Sequence, residues 1–250
     1  MGEAEAVVII PTRLNSSRLP RKALADICGL PMIEHVYRRS AQAKLVKQVL
    51  VATDSAEIFD VVTSFGGTAV MTSDRHQTGT DRLAEVAQGL SAPIIINVQG
   101  DEAQLNPEYV DRLVQLMRSD LSVEVAMLVN PLSRYGSVSE IKAVLDQAGN
   151  IMYMSRSDIP SSARTPNAPL LKCYHVVPFR REFLLEFAAW PPGELEGIEF
   201  IEYNRILERG RKIRALKVES DAISVDTPQD LEVVRAAMPQ DPIFKSYCPR

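Results

Sequence analysis

Apolar residues in this chain form short unbroken runs, separated by stretches of helical period. The runs lie at 7–11, 49–53, 68–71 and 94–98. Continuous apolar runs of this length predict strands buried on both faces. Between them, Ile33, Val36 and Tyr37 recur at helical spacing within 32–43, with basic Arg38 and Arg39 late in the segment. Leu83, Val86, Ala87 and Leu90 do the same within 79–90. Asp54-Ser55 offers a cap for a helix through residue 65, and Gly66-Gly67 a stop. Pro107 suits the first turn of a helix ending near residue 117. Strands alternating with helices predict an α/β fold: a mostly parallel twisted sheet with helices on both faces.

The second half is less regular. Strands are expected at 123–129, 141–145, 151–154 and 171–177, with a hairpin turn at 147–150. Helices are expected at 180–188, 198–208 and 228–238, and an exposed loop at 161–169. This pattern predicts a smaller mixed-sheet subregion. No repeat, low-complexity tract or clean linker divides the chain. Residues 1–250 therefore read as one domain, with halves at 1–120 and 121–250.

Composition narrows the function class. Lys plus Arg is 28 against 32 for Asp plus Glu, a net charge of −4. That argues against a general nucleic-acid binder, yet leaves room for a local cationic pocket. Cys28, Cys173 and Cys248 are far apart and form no C-x-x-C pair, so neither a zinc site nor a disulfide framework is predicted. A reducing compartment fits. No run approaches the roughly 20 apolar residues of a membrane helix. The opening residues include Glu3 and Glu5, unlike a basic secretory leader, and Ala6 replaces the hydroxyl residue of a myristoylation signal. The expectation is a cytoplasmic protein with no membrane or nucleic-acid partner.

Parallel sheets bind ligands beyond the C-terminal ends of their strands. The loop at 11–22 carries Arg13, Arg18, Arg21 and Lys22 among Thr12, Ser16 and Ser17. Oriented N–H groups with fixed cations suit a polyphosphate, although the same residues could form a solvated basic loop. Walker spacing and dinucleotide glycines are both missing. In Gln99-Gly100-Asp101-Glu102, a carboxylate ends a buried strand, as a magnesium ligand or as a turn cap. Gly100 would admit close approach. Asp226-Thr227-Pro228 repeats the arrangement, either as a second carboxylate converging on one metal or as a plain helix cap. Thr78-Gly79-Thr80 opens a helix, as an anion or base-edge site or an ordinary cap. The only histidines are His35, His76 and His175, and no nucleophile motif accompanies them, so covalent catalysis is not predicted.

Taken together, the segments Ile10-Pro11-Thr12-Arg13, Arg18-Leu19-Pro20-Arg21-Lys22, Val51-Ala52-Thr53-Asp54, His76-Gln77-Thr78-Gly79-Thr80-Asp81-Arg82, Asn97-Val98-Gln99-Gly100-Asp101-Glu102 and Val225-Asp226-Thr227-Pro228 resemble the 3-deoxy-manno-octulosonate (KDO) cytidylyltransferase family over nearly the whole chain. The resemblance implies a nucleotide-diphospho-sugar transferase fold, a homodimer, Mg²⁺, and transfer of CMP from CTP to a sugar acid for lipopolysaccharide. It implies that Arg13 and Lys22 hold the triphosphate and that Asp101 and Asp226 hold the metal, these four forming the catalytic set. Pro11, Thr12, Thr78, Gly79, Thr80, Arg82 and Gln99 would complete the nucleotide site. Arg18, Gln99, Lys142, Arg156, Cys173, Glu202 and Tyr203 would face the acceptor.

The acceptor half departs from the family pattern. A family Gln becomes Tyr203, a His falls on Cys173 and a Tyr falls on Val177. Ala103 replaces a Pro, and Arg21-Lys22-Ala23 replaces Gly-Lys-Pro. Lost hydrogen-bonding partners imply an acceptor that is KDO or a different acid: 8-amino-KDO, another keto acid or a small phosphonate. Readings from other classes are a silent nucleotide-binding homologue and a structural or partner-binding protein. A nucleotide other than CTP is a further variant.

Overall fold

The computed structural model describes residues 5–14, 16 and 18–248. Residues 1–4, where the leader and lipidation readings fall, Asn15 and Ser17 of the first loop, and 249–250 lie outside the described residues. In chain order the elements are β1 (Ala6–Thr12), a 3-10 turn at Lys22–Leu24, β2 (Asp26–Ile27), β3 (Leu30–Pro31), α1 (Met32–Ala41), β4 (Val46–Thr53), α2 (Ala56–Ser64), β5 (Ala69–Met71), α3 (Gly79–Gln88), β6 (Ile94–Val98), α4 (Pro107–Ser119), β7 (Ala126–Leu132), β8 (Lys142–Leu145), β9 (Ile151–Ser155), β10 (Leu170–Tyr174), β11 (Val176–Arg180), α5 (Arg181–Ala188), α6 (Glu194–Glu199), α7 (Asn204–Glu208), β12 (Arg214–Lys217), α8 (Pro228–Ala237), a 3-10 turn at Met238–Gln240 and α9 (Pro242–Tyr247).

One sheet has the order β11-β6-β1-β4-β5. Its strands are parallel except β11, which runs antiparallel to β6. Its continuous apolar runs have a direct cause. In β1, Val7 and Ile9 pack into one core with Leu83 of α3 and Phe183 of α5, while Val8 and Ile10 pack into another with Ile33 of α1 and Leu113 of α4. Both faces are covered, so both residue parities must be apolar. The second sheet, β12-β7-β10-β8-β9, is mixed, with β12 parallel to β7 and the other pairs antiparallel. A third, smaller core joins α8 and α9 to Ile27, Met32 and Ala103.

Four departures from the sequence pattern have physical reasons. The expected strand at 171–177 is two strands, because the chain leaves the second sheet after Tyr174 and enters the first at Val176. The apolar pattern runs straight through the crossing and cannot mark it. The expected helix at 198–208 breaks at Phe200, which is left-handed at φ 53°. The polar stretch after β1 hides a hairpin, β2–β3, whose turn places Cys28 at φ 54° and Gly29 at φ 91°. Strand β12 carries Arg214 and Lys217 at the edge of its sheet, so it lacks an apolar run.

Candidate active site

In the first sheet the connections run outward from β1 on one side to β4 and β5, and on the other to β6. The switch point therefore lies between β1 and β6, where open α/β sheets form their crevice. A pocket opens there, lined by Thr12, Arg13, Arg18 and Lys22 after β1, by Gln99 and Asp101 after β6, and by Thr78 and Arg82 at the start of α3. Pro11, Gly79 and His76 also border it. Two glycines permit this closeness. A Cβ on Gly100 would lie 3.3 Å from Thr12 Oγ1, and one on Gly79 would lie 3.4 Å from the Pro11 ring.

Thr78 caps α3 by accepting from the Asp81 N–H, and Asp81 returns the bond. Thr227 and Asp230 repeat this box at α8, with Pro228 in the first turn. The capping readings therefore hold, and they leave Asp226 free to project. Its loop is stitched to the strand-end loop by Val225 N–H donating to Asp101 O at 3.1 Å and by Ser224 Oγ donating to Glu102 Oε1 at 2.6 Å. The third core beneath anchors the segment through Val225 and Leu231. As a result two carboxylates more than a hundred residues apart converge. Lys22 Nζ lies 2.6 Å from Asp101 Oδ2 and 3.2 Å from Asp226 Oδ1. Arg18 adds a 2.9 Å bond to Asp226 Oδ1.

The electrostatics follow from that convergence. Burial works to lower the Lys22 pKa, but its two carboxylate partners outweigh burial and the value is raised. The ammonium stays charged. Glu102 behind the site is fully buried beside the Asp101 charge, and its pKa is pushed up to about 8. Burial, the largest influence, lowers the His175 pKa against the pull of Asp101 and Asp226. Arg82 is held by Thr72 Oγ1 and, at 2.7 Å, by Asp54 Oδ2.

The donor set fits the magnesium that the resemblance implies. Asp101 and Asp226 already share one cationic partner, so their oxygens face a common point. Carboxylate oxygens suit a hard cation that completes its shell with water and phosphate. Among the described residues no group of three His, Cys, Asp or Glu side chains converges, so the protein would contribute few ligands, as magnesium sites usually do.

The structure brings Arg13, Arg18, Lys22, Thr78, Gly79, Arg82, Gln99 and Asp101 together around the pocket. It places the acceptor candidates differently. Lys142 is 0% exposed, and its Nζ donates to the carbonyls of Ser137, Glu140 and Arg156. Arg156 donates to the carbonyls of Glu199, Val138, Ser139 and Phe200. Cys173 and Tyr203, 4% and 5% exposed, belong to the core around Phe179 and Phe187, and Val177 joins them. Burial pushes the Cys173 thiol up to about 12. Asn97 Nδ2 donates to the Tyr203 hydroxyl at 3.0 Å. Lys142, Cys173 and Tyr203 are thus enclosed by packing and backbone, whereas Arg156 is partly exposed. Glu202 accepts from Thr80 Oγ1 at 2.6 Å in the first turn of α3, and burial raises its pKa. The sequence alone assigns no role to Ser224 or Glu102, whose hydrogen bond joins the loops that carry the two carboxylates. The repeated acid-before-cap pattern was their one signal.

Comparison with known proteins gives this geometry its context. Residues 7–213 match the cytidylyltransferase family. A 3-deoxy-manno-octulosonate cytidylyltransferase of Geobacter sulfurreducens is 44% identical over 240 residues, covering 90% of this chain and 96% of its own. One from Escherichia coli is 41% identical, covering 95% and 98%. The solved structure of CMP:2-keto-3-deoxy-manno-octonic acid synthetase complexed with CTP superposes with a TM-score of 0.91 at 41% identity, covering 95% of this chain and 99% of that one. A 4-diphosphocytidyl-2C-methyl-D-erythritol synthase from Anaerococcus prevotii, 12% identical with a TM-score of 0.63, shares the fold alone, covering 95% and 97%. The α/β architecture is the nucleotide-diphospho-sugar transferase type. The chain belongs to the cytidylyltransferase family and is a CTP-dependent nucleotidyltransferase.

Proposed function

We propose that this enzyme transfers the cytidylyl group of CTP to the anomeric hydroxyl of 3-deoxy-manno-octulosonate, with Mg²⁺ held by Asp101 and Asp226. The observation that carries the reading is the Lys22 ammonium bridging both carboxylates at the mouth of a cationic pocket. The hydroxyl oxygen attacks the α-phosphorus, the bond from the α-phosphorus to the bridging oxygen of the β-phosphate breaks, the hydroxyl proton passes to solvent and pyrophosphate leaves. Bound magnesium would supply charge neutralisation on the phosphate oxygens. Arg13 and Lys22 stabilise charge on the leaving pyrophosphate, and Arg18 stands at the Asp226 side. Thr78, Gly79 and Thr80 at the start of α3 hold the nucleotide, and Gln99 lies between nucleotide and sugar. Positioning then accounts for much of the acceleration, and no protein nucleophile is needed.

The cytoplasm, where CTP is made, and a homodimer complete the reading. Val138, Met152, Ile198 and Phe200 leave apolar surface exposed on the second half, which supports self-association. No helix among the described residues is long and apolar enough to cross a membrane.

A second reading keeps the CTP chemistry and changes the acid. The replacement of the family's hydrogen-bonding His, Tyr and Gln by the core residues Cys173, Val177 and Tyr203 supports it, because no polar group from these positions reaches a sugar. Pyrophosphate release with CTP and Mg²⁺ against KDO, 8-amino-KDO, nonulosonic acids and small phosphonates tests both. Turnover of KDO above all others supports the first reading. Silence with KDO and turnover of another acid supports the second. Nucleotide binding without turnover of any acid would leave a silent homologue.

A further inference from the structure

Lys142 and Arg156 direct their donors to backbone carbonyls. A third polar residue of the second half, His175, is set beside the strand-end loop by its backbone. This single residue joins β10 to β11, where the chain passes from one sheet to the other. Tyr174 before it is in register with Leu128, and Val176 after it with Val98. Its carbonyl accepts from the Gln99 N–H at 3.4 Å. Both sheets and the strand-end loop therefore fix its backbone.

The charged groups that act on the His175 ring come from both halves. Asp101 and Asp226 belong to the nucleotide-side loops, while Glu140 precedes β8 and Arg156 follows β9. The ring is partly buried. Among the described residues no protein group hydrogen-bonds either of its nitrogens. The other two histidines differ: His35 is bonded at both nitrogens, to the Tyr247 hydroxyl and the Ile27 carbonyl, and His76 pairs with Glu85. An imidazole held rigidly in this position offers one donor and one acceptor to a ligand when neutral.

We propose that His175 is a specificity-determining residue for the acceptor, its imidazole hydrogen-bonding the sugar acid as the sugar lies over Asp101 and Asp226. The assignment rests on the cytidylyl-transfer reading above. It places acceptor recognition at the crossing between the two sheets rather than at Cys173 or Tyr203.

The test uses the full chain with CTP and Mg²⁺, in His175→Ala and His175→Gln. The wild-type rate with KDO tests the acceptor reading. The ratio of variant to wild type, on whichever acid the wild type turns over best, tests His175. In His175→Ala the KM for that acid should rise about 10- to 100-fold, the loss expected for one hydrogen bond to a charged or polar ligand. The KM for CTP should stay within about twofold, and His175→Gln should recover part of the loss. CTP-dependent thermal stabilisation equal to wild type would show that both variants fold with the nucleotide site intact. An unchanged acceptor KM in His175→Ala, or equal losses for CTP and acceptor in both variants, would overturn the proposal.

Discussion

Two pairs of cations, Lys22 with Arg18 in the first half and Lys142 with Arg156 in the second, are held in opposite ways. In the first half, Lys22 and Arg18 pair with side-chain carboxylates inside an open pocket. Such partners can be exchanged for a phosphate at little cost, because one anion replaces another. In the second half, Lys142 and Arg156 are bonded to backbone carbonyls. Those carbonyls cannot move away and would be orphaned if the cation turned to a ligand. The same residue types are therefore reactive machinery in one place and scaffold in the other. Substitution should separate activity from stability along this line.

The largest effect belongs to the first half. Lys22→Ala, Asp101→Asn and Asp226→Asn should each lower turnover by about a hundred- to a thousand-fold or more, the scale of losing one preorganised charge at a reacting phosphate. Calorimetry alongside a pyrophosphate assay should find the melting point within a few degrees of wild type. A variant that keeps full rate would remove its residue from the reacting centre.

Lys142→Met should reverse the pattern. Removing a buried ammonium leaves the carbonyls of Ser137, Glu140 and Arg156 without their donor. The expected loss is about 3 kcal/mol of stability, with KM for CTP unchanged. Urea unfolding gives the first quantity and steady-state kinetics the second. Wild-type stability with a raised acceptor KM would place Lys142 at the ligand after all.

Tyr203→Gln sharpens the boundary between the halves. As an acceptor residue, it would change the ranking of acids. The structure instead surrounds Tyr203 with Phe179 and Phe187, and its hydroxyl accepts from Asn97 Nδ2. An amide in that aromatic setting should cost about 2 kcal/mol and leave the ranking alone. A changed ranking at unchanged stability would overturn this placement.

Legibility in the sequence follows the same division. The first-half strands were readable because burial on both faces forces unbroken apolar runs, as in Val7-Val8-Ile9-Ile10 of β1. The pocket was readable because its cations and acids follow those strands directly. Tyr203 and Cys173 mark the limit of that legibility: a motif gives a position in the chain, while side-chain direction depends on packing, and both residues pack into the core. His175 was hidden for a related reason: residues 171–177 read as one strand, while the sheet change between Tyr174 and Val176 leaves His175 between two strands, its carbonyl beside Gln99. The convergence of Asp101 with Asp226 depends on Val225 and Ser224 contacts that no local pattern encodes.

The smallest effect tests how the acids are held behind the pocket. Glu102 has an ordinary value of 4.5 and a folded value of about 8, mainly from burial and then from the Asp101 charge. Between those values the folded chain keeps a proton that the unfolded chain has released. The contribution of this group to stability is therefore complete below about pH 4.5, falls as pH rises and is gone above about pH 8. Glu102→Gln keeps an oxygen for the Ser224 hydroxyl and has no proton to lose. Melting points measured from pH 7 to pH 9 should fall further in wild type than in Glu102→Gln. A difference of about 2–4 °C is expected, the shift that about 1 kcal/mol produces in a chain of this size. Parallel curves would mean that Glu102 is ionised in the fold, with the Asp101 loop held against a buried like charge rather than by a neutral acid.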